Sequence, residues 1–314
     1  MVQRAKTYEK YEMMFANIIP AFKDIRLNRL KPEHFDDFLL SLKENKRSSN
    51  TIHHYYIYLK NISAFGYNRG HLKKDIGKLI TKPEKVNTTK KKTFTKKQLN
   101  QCINYINDKT WRLIIFLGGF YGLRRSEIIG LHWQDIDFEK KELTVRNTGI
   151  LSIVKGKEKL IFQDSTKTKN SVRTLPINNK LIELLIMQKN TQKEKEKLFG
   201  SSDLVVTNEL NKPFRPDFLT KKFKKIIANY NISNFNKLPL IRFHDLCHTC
   251  ATLLYEAGVD IKTIQYWLGH SSIRVTLDIY TEFSKVKLNS AKDIIDSIAD
   301  KDITNVIDNE FEEK

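Results

Sequence analysis

The six residues HDLCHT occupy positions 244–249. Apolar residues that recur behind them at helical spacing predict a helix over 244–257, and Gly258 is suited to end it. A second short stretch, LGHSS, occupies positions 268–272 and closes a helix predicted over 261–268. Both stretches therefore place histidines at the boundaries of predicted helices.

The segment before these helices combines a third stretch, GLRRSE at 122–127, with alternating apolar and polar residues. The alternation predicts strands at 142–145, 159–162 and 172–177, separated by turn-forming sequences at 155–157 and 167–170. Other helices are predicted at 99–106, 111–121, 181–188 and 217–230. We therefore expect a fold that is mainly α with a small antiparallel β-sheet.

The first 85 residues predict a separate bundle of short amphipathic helices. Three sets of apolar residues recur there at helical spacing, and Pro32 is well placed in the first turn of the second helix. The sets are Tyr8, Tyr11, Phe15 and Ile18; Phe35, Phe38, Leu39 and Leu42; and Ile52, Tyr55, Tyr56, Leu59, Ile62 and Phe65.

A linker separates this helical domain, 1–85, from an α+β domain over 95–285. The linker, 86–94, contains the basic run Lys90, Lys91 and Lys92, which either follows DNA phosphates or is simply solvated. The tail, 286–314, is acidic: its last 24 residues hold eight acids and three lysines, a net charge of −5. We expect the tail to avoid DNA and to form a docking helix.

The whole chain is strongly basic. It has 55 Lys and Arg against 36 Asp and Glu in 314 residues, a formal charge of +19 with a pI near 9.6. This excess predicts nucleic acid as the partner, although lysine-rich surfaces also serve solubility alone. No apolar run is long enough to span a bilayer, and three cysteines without a secretion signal predict free thiols in a cytoplasmic protein.

Five side chains suit the cleavage of a phosphodiester without a metal ion. That reaction needs a nucleophile, cations for the phosphate oxygens and an acid for the leaving oxygen. Each candidate alone has an ordinary explanation, such as a surface ion pair or a core histidine. The candidates are Arg124, Lys167, His244, His270 and Tyr280, the last ten residues after His270.

The order and spacing of these five elements resemble the tyrosine recombinase family, in particular phage and conjugative-transposon integrases. The resemblance runs from about Thr7 to Phe283 and includes the N-terminal bundle, which is similar to the SAM-like core-binding domain of that family. It implies a site-specific recombinase that binds double-stranded DNA, acts as a homotetramer on two sites and takes direction from an accessory factor. No cofactor, metal or ATP is expected, and no membrane.

The resemblance also implies a role for each candidate. Tyr280 would attack the scissile phosphate to give a 3′-phosphotyrosine, and Lys167 would protonate the leaving 5′-oxygen. Arg124 would hold the phosphate, with Glu127 orienting that arginine. The two histidines, His244 and His270, would bind the phosphate or assist proton transfer.

Position 247 departs from the pattern. The family has a second arginine three residues after the first histidine, whereas this chain has Cys247. A neutral thiol offers neither a fixed charge nor a fork of donors, so catalysis is expected to be impaired. Arg242 is the nearest residue that could substitute for this arginine. Two alternative interpretations are a zinc site that includes Cys247 and a reactive thiol at Cys247.

Three function classes therefore remain open from the sequence. The first is an integrase-type recombinase with reduced or unusual catalysis, and the second is a catalytically inactive DNA-binding remnant. The third, a zinc-dependent binding module, rests only on the cysteines and histidines near Cys247. The chain also begins close to the first position of the resemblance, where related integrases often carry an additional arm-binding module. We expect either a shortened copy or a simpler member of the family.

Overall fold

The computed structural model describes residues 5–84, 92–154, 157–164, 172–270 and 272. Two compact units account for them. The first contains the described residues up to position 84 together with 152–154, 157 and 158, and the second contains the other described residues.

The first unit is a helical bundle, as its three apolar sets predict. Its helices are α1 (Ala5–Phe22), α2 (Pro32–Glu44) and α3 (Ser49–Asn68), with short 3-10 turns at Leu27–Arg29 and Ile76–Lys78. Proline starts α2, and the Ser48 side chain caps α3 by accepting a hydrogen bond from the Thr51 amide. The buried apolar residues of its core are Met14, Ile18, Phe35, Leu39, Leu42, Ile52, Tyr55, Leu59, Ile76 and Ile80.

The predicted apolar stripe of α1 is partly wrong. Met14 and Ile18 are its buried residues, whereas Tyr8 is 58% exposed and Phe15 is 37% exposed. Phe15 lies about 100° around the helix from Met14, so it falls at the edge of the packed face. Helical spacing alone leaves that rotation undetermined.

The second unit contains seven of the described helices. They are α4 (Lys96–Tyr105), α5 (Lys109–Gly119), α6 (Arg125–Ile129), α7 (Asn179–Phe199), α8 (Pro216–Ser233), α9 (Asp245–Glu256) and α10 (Ile261–Leu268). The apolar helix α5 lies at the centre and packs against both α7 and α9. Burial of its residues from Leu113 to Leu117 makes this helix the main part of the core.

Two small antiparallel sheets are described, and the first of them belongs to the second unit. The strands β1 (Ile136–Asp137), β2 (Glu142–Val145) and β5 (Arg173–Pro176) form one sheet in the order β1-β2-β5. The strands β3 (Asn147–Val154) and β4 (Lys157–Asp164) form the other, and β3 is absent from the predicted strands. In the first sheet Leu143 pairs with Leu175 and Val145 pairs with Arg173. Period-two alternation therefore puts Arg173 on the same buried face as Leu175.

Helix α7 continues to Phe199, well past its predicted end at 188. Its C-terminal half is anchored by buried amides instead of apolar residues. Gln188 donates to the Val205 carbonyl at 3.0 Å, and Gln192 donates to the Leu204 carbonyl at 2.8 Å. A pattern read from hydrophobicity alone ends where these polar side chains begin.

Gln192 is expected to be important for the stability of the second unit. Its amide also accepts a hydrogen bond from the Trp133 indole at 2.7 Å. Replacing Gln192 by Leu leaves the indole and the Leu204 carbonyl unpaired, which should lower the free energy of unfolding by about 3 kcal/mol. The measurement is urea unfolding followed by tryptophan fluorescence, because all three tryptophans lie after position 110.

Lys193→Leu is the matched control, since Lys193 is the exposed neighbour of Gln192 in the same helix. It should change the free energy of unfolding by less than about 0.5 kcal/mol. Equal effects of the two substitutions would show that the buried amide contributes nothing specific.

Candidate active site

Arg124 occupies the N-cap of the short helix α6. Its backbone amide donates to the Glu127 carboxylate at 2.9 Å, and its Nη1 donates to the same carboxylate at 2.7 Å. The remaining terminal nitrogen, Nη2, donates to the Gly269 carbonyl at 3.0 Å. The side chain is 31% exposed. The guanidinium is therefore fixed in direction while part of it faces solvent.

Glu127 is 2% exposed and is shared by two arginines. Arg173 donates to it through Nη2 at 3.0 Å and through Nη1 at 3.3 Å. Burial alone would raise the pKa of this carboxyl, but Arg173 and then Arg124 hold the pKa below its ordinary value. Glu127 is consequently a carboxylate at neutral pH.

Arg173 is absent from the predicted site. Its side chain is fully buried, and its Nε donates to the Trp267 carbonyl at 2.7 Å. The sequence does contain a signal that could have identified it. In the strand predicted at 172–177, Arg173 alternates with the apolar residues Leu175 and Ile177, so its side chain is expected on their buried face. A charged residue on an inward face requires a buried partner.

His270 lies directly after the turn at Gly269 and is 6% exposed. Burial, followed by the positive charge of Arg124, lowers the pKa of His270 to about 4. The imidazoles of His248 and His244 act in the same direction. The His270 ring is therefore neutral at pH 7 and can accept a hydrogen bond or a proton.

His244 occupies the N-cap position of α9, without a capping hydrogen bond from its side chain. Its ring centroid lies 5.4 Å from that of His248, with the two planes at 80°. His248 is buried and is absent from the predicted site. The structure therefore brings Arg124, His244 and His248 within electrostatic range of His270, although the residues come from separate parts of the chain.

Cys247 is 3% exposed and packs in an apolar cluster with Cys250, Ala251, Ile264 and Leu268. Burial raises the pKa of its thiol to about 11, and Arg124, Glu127 and Arg173 change this value less. The side chain is thus neutral at pH 7. It leaves the position of the expected second arginine without a charge.

Arg242, the nearest substitute for the missing arginine, is held in an ion pair. It forms a forked ion pair with Asp245, at 2.9 Å from Nη2 and 3.2 Å from Nε, and 72% of its side chain is exposed. Burial would raise the pKa of Asp245, but these hydrogen bonds hold the pKa below its usual value. The pair fixes Arg242 at the start of α9, beside His244.

Several predicted residues lie outside the described part of the chain, namely Tyr280, Lys167, Lys90 and Lys91. Lys92 is described and exposed. Within the described residues, no group of three or more His, Cys, Asp or Glu side chains is placed to hold a metal ion. In the same part of the chain, no helix is both long and apolar enough to cross a bilayer.

This helical unit, followed by an α+β unit with a buried arginine and histidine cluster, is the architecture of a class of proteins that acts on DNA. The phage integrase family matches residues 92–286, and the phage integrase N-terminal SAM-like domain matches residues 3–43. The chain therefore belongs to the phage integrase family, and it is a tyrosine recombinase of the integrase type.

Curated relatives agree with this assignment. The tyrosine recombinase XerC-like protein of Caldanaerobacter subterraneus subsp. tengcongensis is 33% identical, over 94% of this chain and 79% of that protein. The ICEBs1 integrase of Bacillus subtilis is 32% identical over 60% of this chain. The transposase of transposon Tn916 from Enterococcus faecalis is 26% identical over 81% of this chain. The chain spans 49% and 64% of the lengths of these last two proteins.

Solved structures confirm the fold. The integrase of transposon Tn1549, in complex with transposon right end DNA, aligns with a TM-score of 0.74 at 22% identity and covers 95% of each chain. A λ integrase dimer bound to a core site aligns with a TM-score of 0.62 at 15% identity, covering 88% of this chain and 89% of that one. The prediction of a mainly α fold with small antiparallel sheets is therefore confirmed.

The low pKa of His270 predicts a specific loss of stability in acid. A histidine of ordinary pKa near 6.5 in the unfolded chain binds a proton below that pH, whereas folded His270 stays neutral down to about pH 4. Its contribution to stability is complete above pH 6.5 and declines as the pH falls toward 4. Between pH 7 and pH 5 this should remove about 2 kcal/mol from the free energy of unfolding.

The measurement is the difference in pH dependence between the unsubstituted chain and His270→Gln. Between pH 7 and pH 5 the free energy of unfolding should fall by about 2 kcal/mol less in the variant, because it lacks the imidazole. The buried carboxylates titrate in both proteins, so their contribution cancels in the difference. NMR titration of the His270 ring checks the pKa directly. A ring that titrates near 6.5 contradicts the prediction.

Proposed function

We propose that this recombinase cuts DNA at a specific site through Tyr280 and rejoins it to a second DNA. The observation that carries the proposal is the direction imposed on Arg124 by Glu127 and the Gly269 carbonyl, at 2.7 Å and 3.0 Å. This fixes a partly exposed planar cation beside His270. Such an arrangement suits a phosphate diester, whose oxygens accept a fork of N–H donors.

In the proposed reaction the phenolic oxygen of Tyr280 attacks the scissile phosphorus. The bond from phosphorus to the 5′-oxygen breaks, leaving a 3′-phosphotyrosine and a 5′-hydroxyl that takes its proton from Lys167. The phenolic proton would pass to His270 once the negative charge of the bound phosphate raises the pKa of this histidine from about 4, with His244 next to the phosphate. Attack by the 5′-hydroxyl of a second DNA reverses the step, so no ATP is consumed.

The partner in this proposal is double-stranded DNA. The net charge of +19 and the DNA complexes of the Tn1549 and λ integrases support it. One solved λ integrase structure is a tetramer on a Holliday junction, which supports a homotetramer that joins two DNA sites. An accessory protein would set the direction of the reaction, and the linker run Lys90 to Lys92 would follow the phosphates.

A second candidate function is DNA binding without cleavage, and Cys247 favours it. A protonated, buried thiol adds no charge to the phosphate site. A missing arginine at a phosphoryl-transfer site costs about 10³-fold or more in rate. DNA affinity depends on many phosphate contacts and would change little without this arginine, whereas the cleavage rate would fall by the full factor.

Restoring the arginine separates the two functions. Cys247→Arg should raise the rate of covalent adduct formation by about 10³-fold, because it adds a charged fork beside Arg124. The measurement uses a nicked suicide duplex that carries the site selected by the protein from a random pool, with the adduct detected on a denaturing gel. If Cys247→Arg keeps the urea midpoint of the unsubstituted chain and forms no adduct either, the roles assigned to these residues are wrong.

Two controls define the result. Cys247→Ala removes the thiol without adding charge and should leave the rate unchanged. Tyr280→Phe in the Cys247→Arg protein should abolish the adduct and leave DNA affinity intact, because only the attacking oxygen is lost. An adduct that persists in this variant would assign the nucleophile to another residue.

DNA binding should weaken steeply with salt in both candidate functions. A protein that contacts six or more phosphates loses about 10³-fold or more in affinity between 50 and 200 mM salt, because counterions are released on binding. Fluorescence anisotropy of the selected duplex at several salt concentrations checks this. A flat dependence would contradict broad contact with the DNA backbone.

A further inference from the structure

Arg173 is the largest fully buried side chain among the described residues. Burying a guanidinium away from water destabilises the folded protein unless its N–H donors are hydrogen-bonded. Here Nε donates to the Trp267 carbonyl at 2.7 Å, and the two terminal nitrogens donate to Glu127 at 3.3 and 3.0 Å. Since its side chain has no exposed surface, Arg173 cannot touch a DNA phosphate directly.

The contacts of Arg173 form a closed circuit with those of Arg124. Arg173 binds Glu127, Glu127 binds Arg124, and Arg124 donates to the Gly269 carbonyl at 3.0 Å. The circuit closes through Trp267, two residues before Gly269. It therefore ties strand β5 and the start of α6 to the turn that carries His270.

The backbone turn at Gly269 packs closely against the Arg173 side chain. Gly269 has a φ of +61°, and a Cβ added there would lie 2.7 Å from Nη1 of Arg173. Only glycine accepts both the left-handed backbone and this approach. The backbone that leads into His270 is thus set by the position of the buried guanidinium.

Arg173 also sets the charge that a phosphate would meet. Arg124 and Glu127 alone form a neutral pair. With Arg173 the group carries a net charge of +1, so the exposed part of Arg124 is not cancelled by its own carboxylate. This matters more in a chain where position 247 holds a neutral thiol.

We propose that Arg173 is a positioning residue, which fixes Arg124 and His270 relative to each other by holding Glu127 and the Trp267 carbonyl. The inference rests on the proposed function, in which Arg124 grips the scissile phosphate. It assigns to a buried residue the geometry of two residues that would touch DNA. A displacement of about 1 Å at such a site costs on the order of 10²-fold in rate.

The test compares Arg173→Lys, Arg173→Met and the double variant Arg173→Met with Glu127→Gln, all in the Cys247→Arg protein. Arg173→Met should lower the adduct rate at saturating DNA by about 10²-fold. Arg173→Lys keeps the charge without the fork and should recover part of this loss. DNA affinity should change far less than the rate, because it depends on many other contacts.

The double variant separates positioning from simple stability. Removing both buried charges should restore the urea midpoint that Arg173→Met lowers, since the buried carboxylate that has lost its two Arg173 donors is removed as well. The adduct rate should stay about 10²-fold down in the double variant, because Arg124 has lost the group that directs it. A rate that returns together with the midpoint would overturn the proposal and leave Arg173 a structural role only.

A second measurement does not depend on cleavage. NMR of the arginine Nε–H groups, with inorganic phosphate as the probe, should show a shift of the Arg124 signal in the unsubstituted chain. Arg173→Met and the double variant should each weaken this phosphate response at least about tenfold, equivalent to 1.4 kcal/mol.

The two readouts fail in different ways. If no variant forms an adduct but phosphate still shifts Arg124 in an Arg173-dependent manner, the proposed function fails and the positioning role stands. If the phosphate response of Arg124 is absent, or is the same in all variants, the positioning role is overturned whatever the adduct assay shows.

Discussion

The candidate site depends on one buried carboxylate shared by two arginines. Glu127 is held at 2.7 Å from Arg124 and at 3.0 Å from Arg173, and these contacts keep it ionised despite its burial. A buried ion pair is stable only when the hydrogen-bonding groups of both partners are satisfied. The carboxylate therefore fixes the start of α6, the face of β5 and the end of α10 against one another. The surface that Arg124 presents follows from this packing.

Much of the fold follows from the sequence because apolar periodicity reports directly on burial. It predicted the strand at Glu142–Val145 and the helix at Ile261–Leu268 with the bounds that the structure has. It failed where polar groups replace apolar ones in the core. The second half of α7 is anchored by Gln188 and Gln192, and no hydrophobic pattern marks those positions.

The same limit applies to the site. Arg124 and the histidines were predicted because short sequence stretches surround them, and the structure brings Arg124, His244 and His270 together. Arg173 has no such stretch, and its role becomes visible only when the partner of its charge is known. Tertiary contacts determine that partner, since Glu127 lies 46 positions earlier in the chain. Spacing within a sequence does not encode a contact of that range.

Cys247 shows that a residue can fit the packing of a site without supplying the charge that the reaction needs. The thiol packs in an apolar cluster with Cys250, Ala251, Ile264 and Leu268, where a small apolar side chain is well accommodated. A thiol and a guanidinium differ in the charge that they offer to a transition state, and this difference affects rate more than binding. The buried circuit of Arg173, Glu127 and Arg124 is complete beside it. Such a circuit contributes little to a protein that only binds DNA, because binding draws on many phosphates and does not require one guanidinium to be fixed in direction. In the proposed function the circuit serves cleavage, and DNA binding alone would not require it.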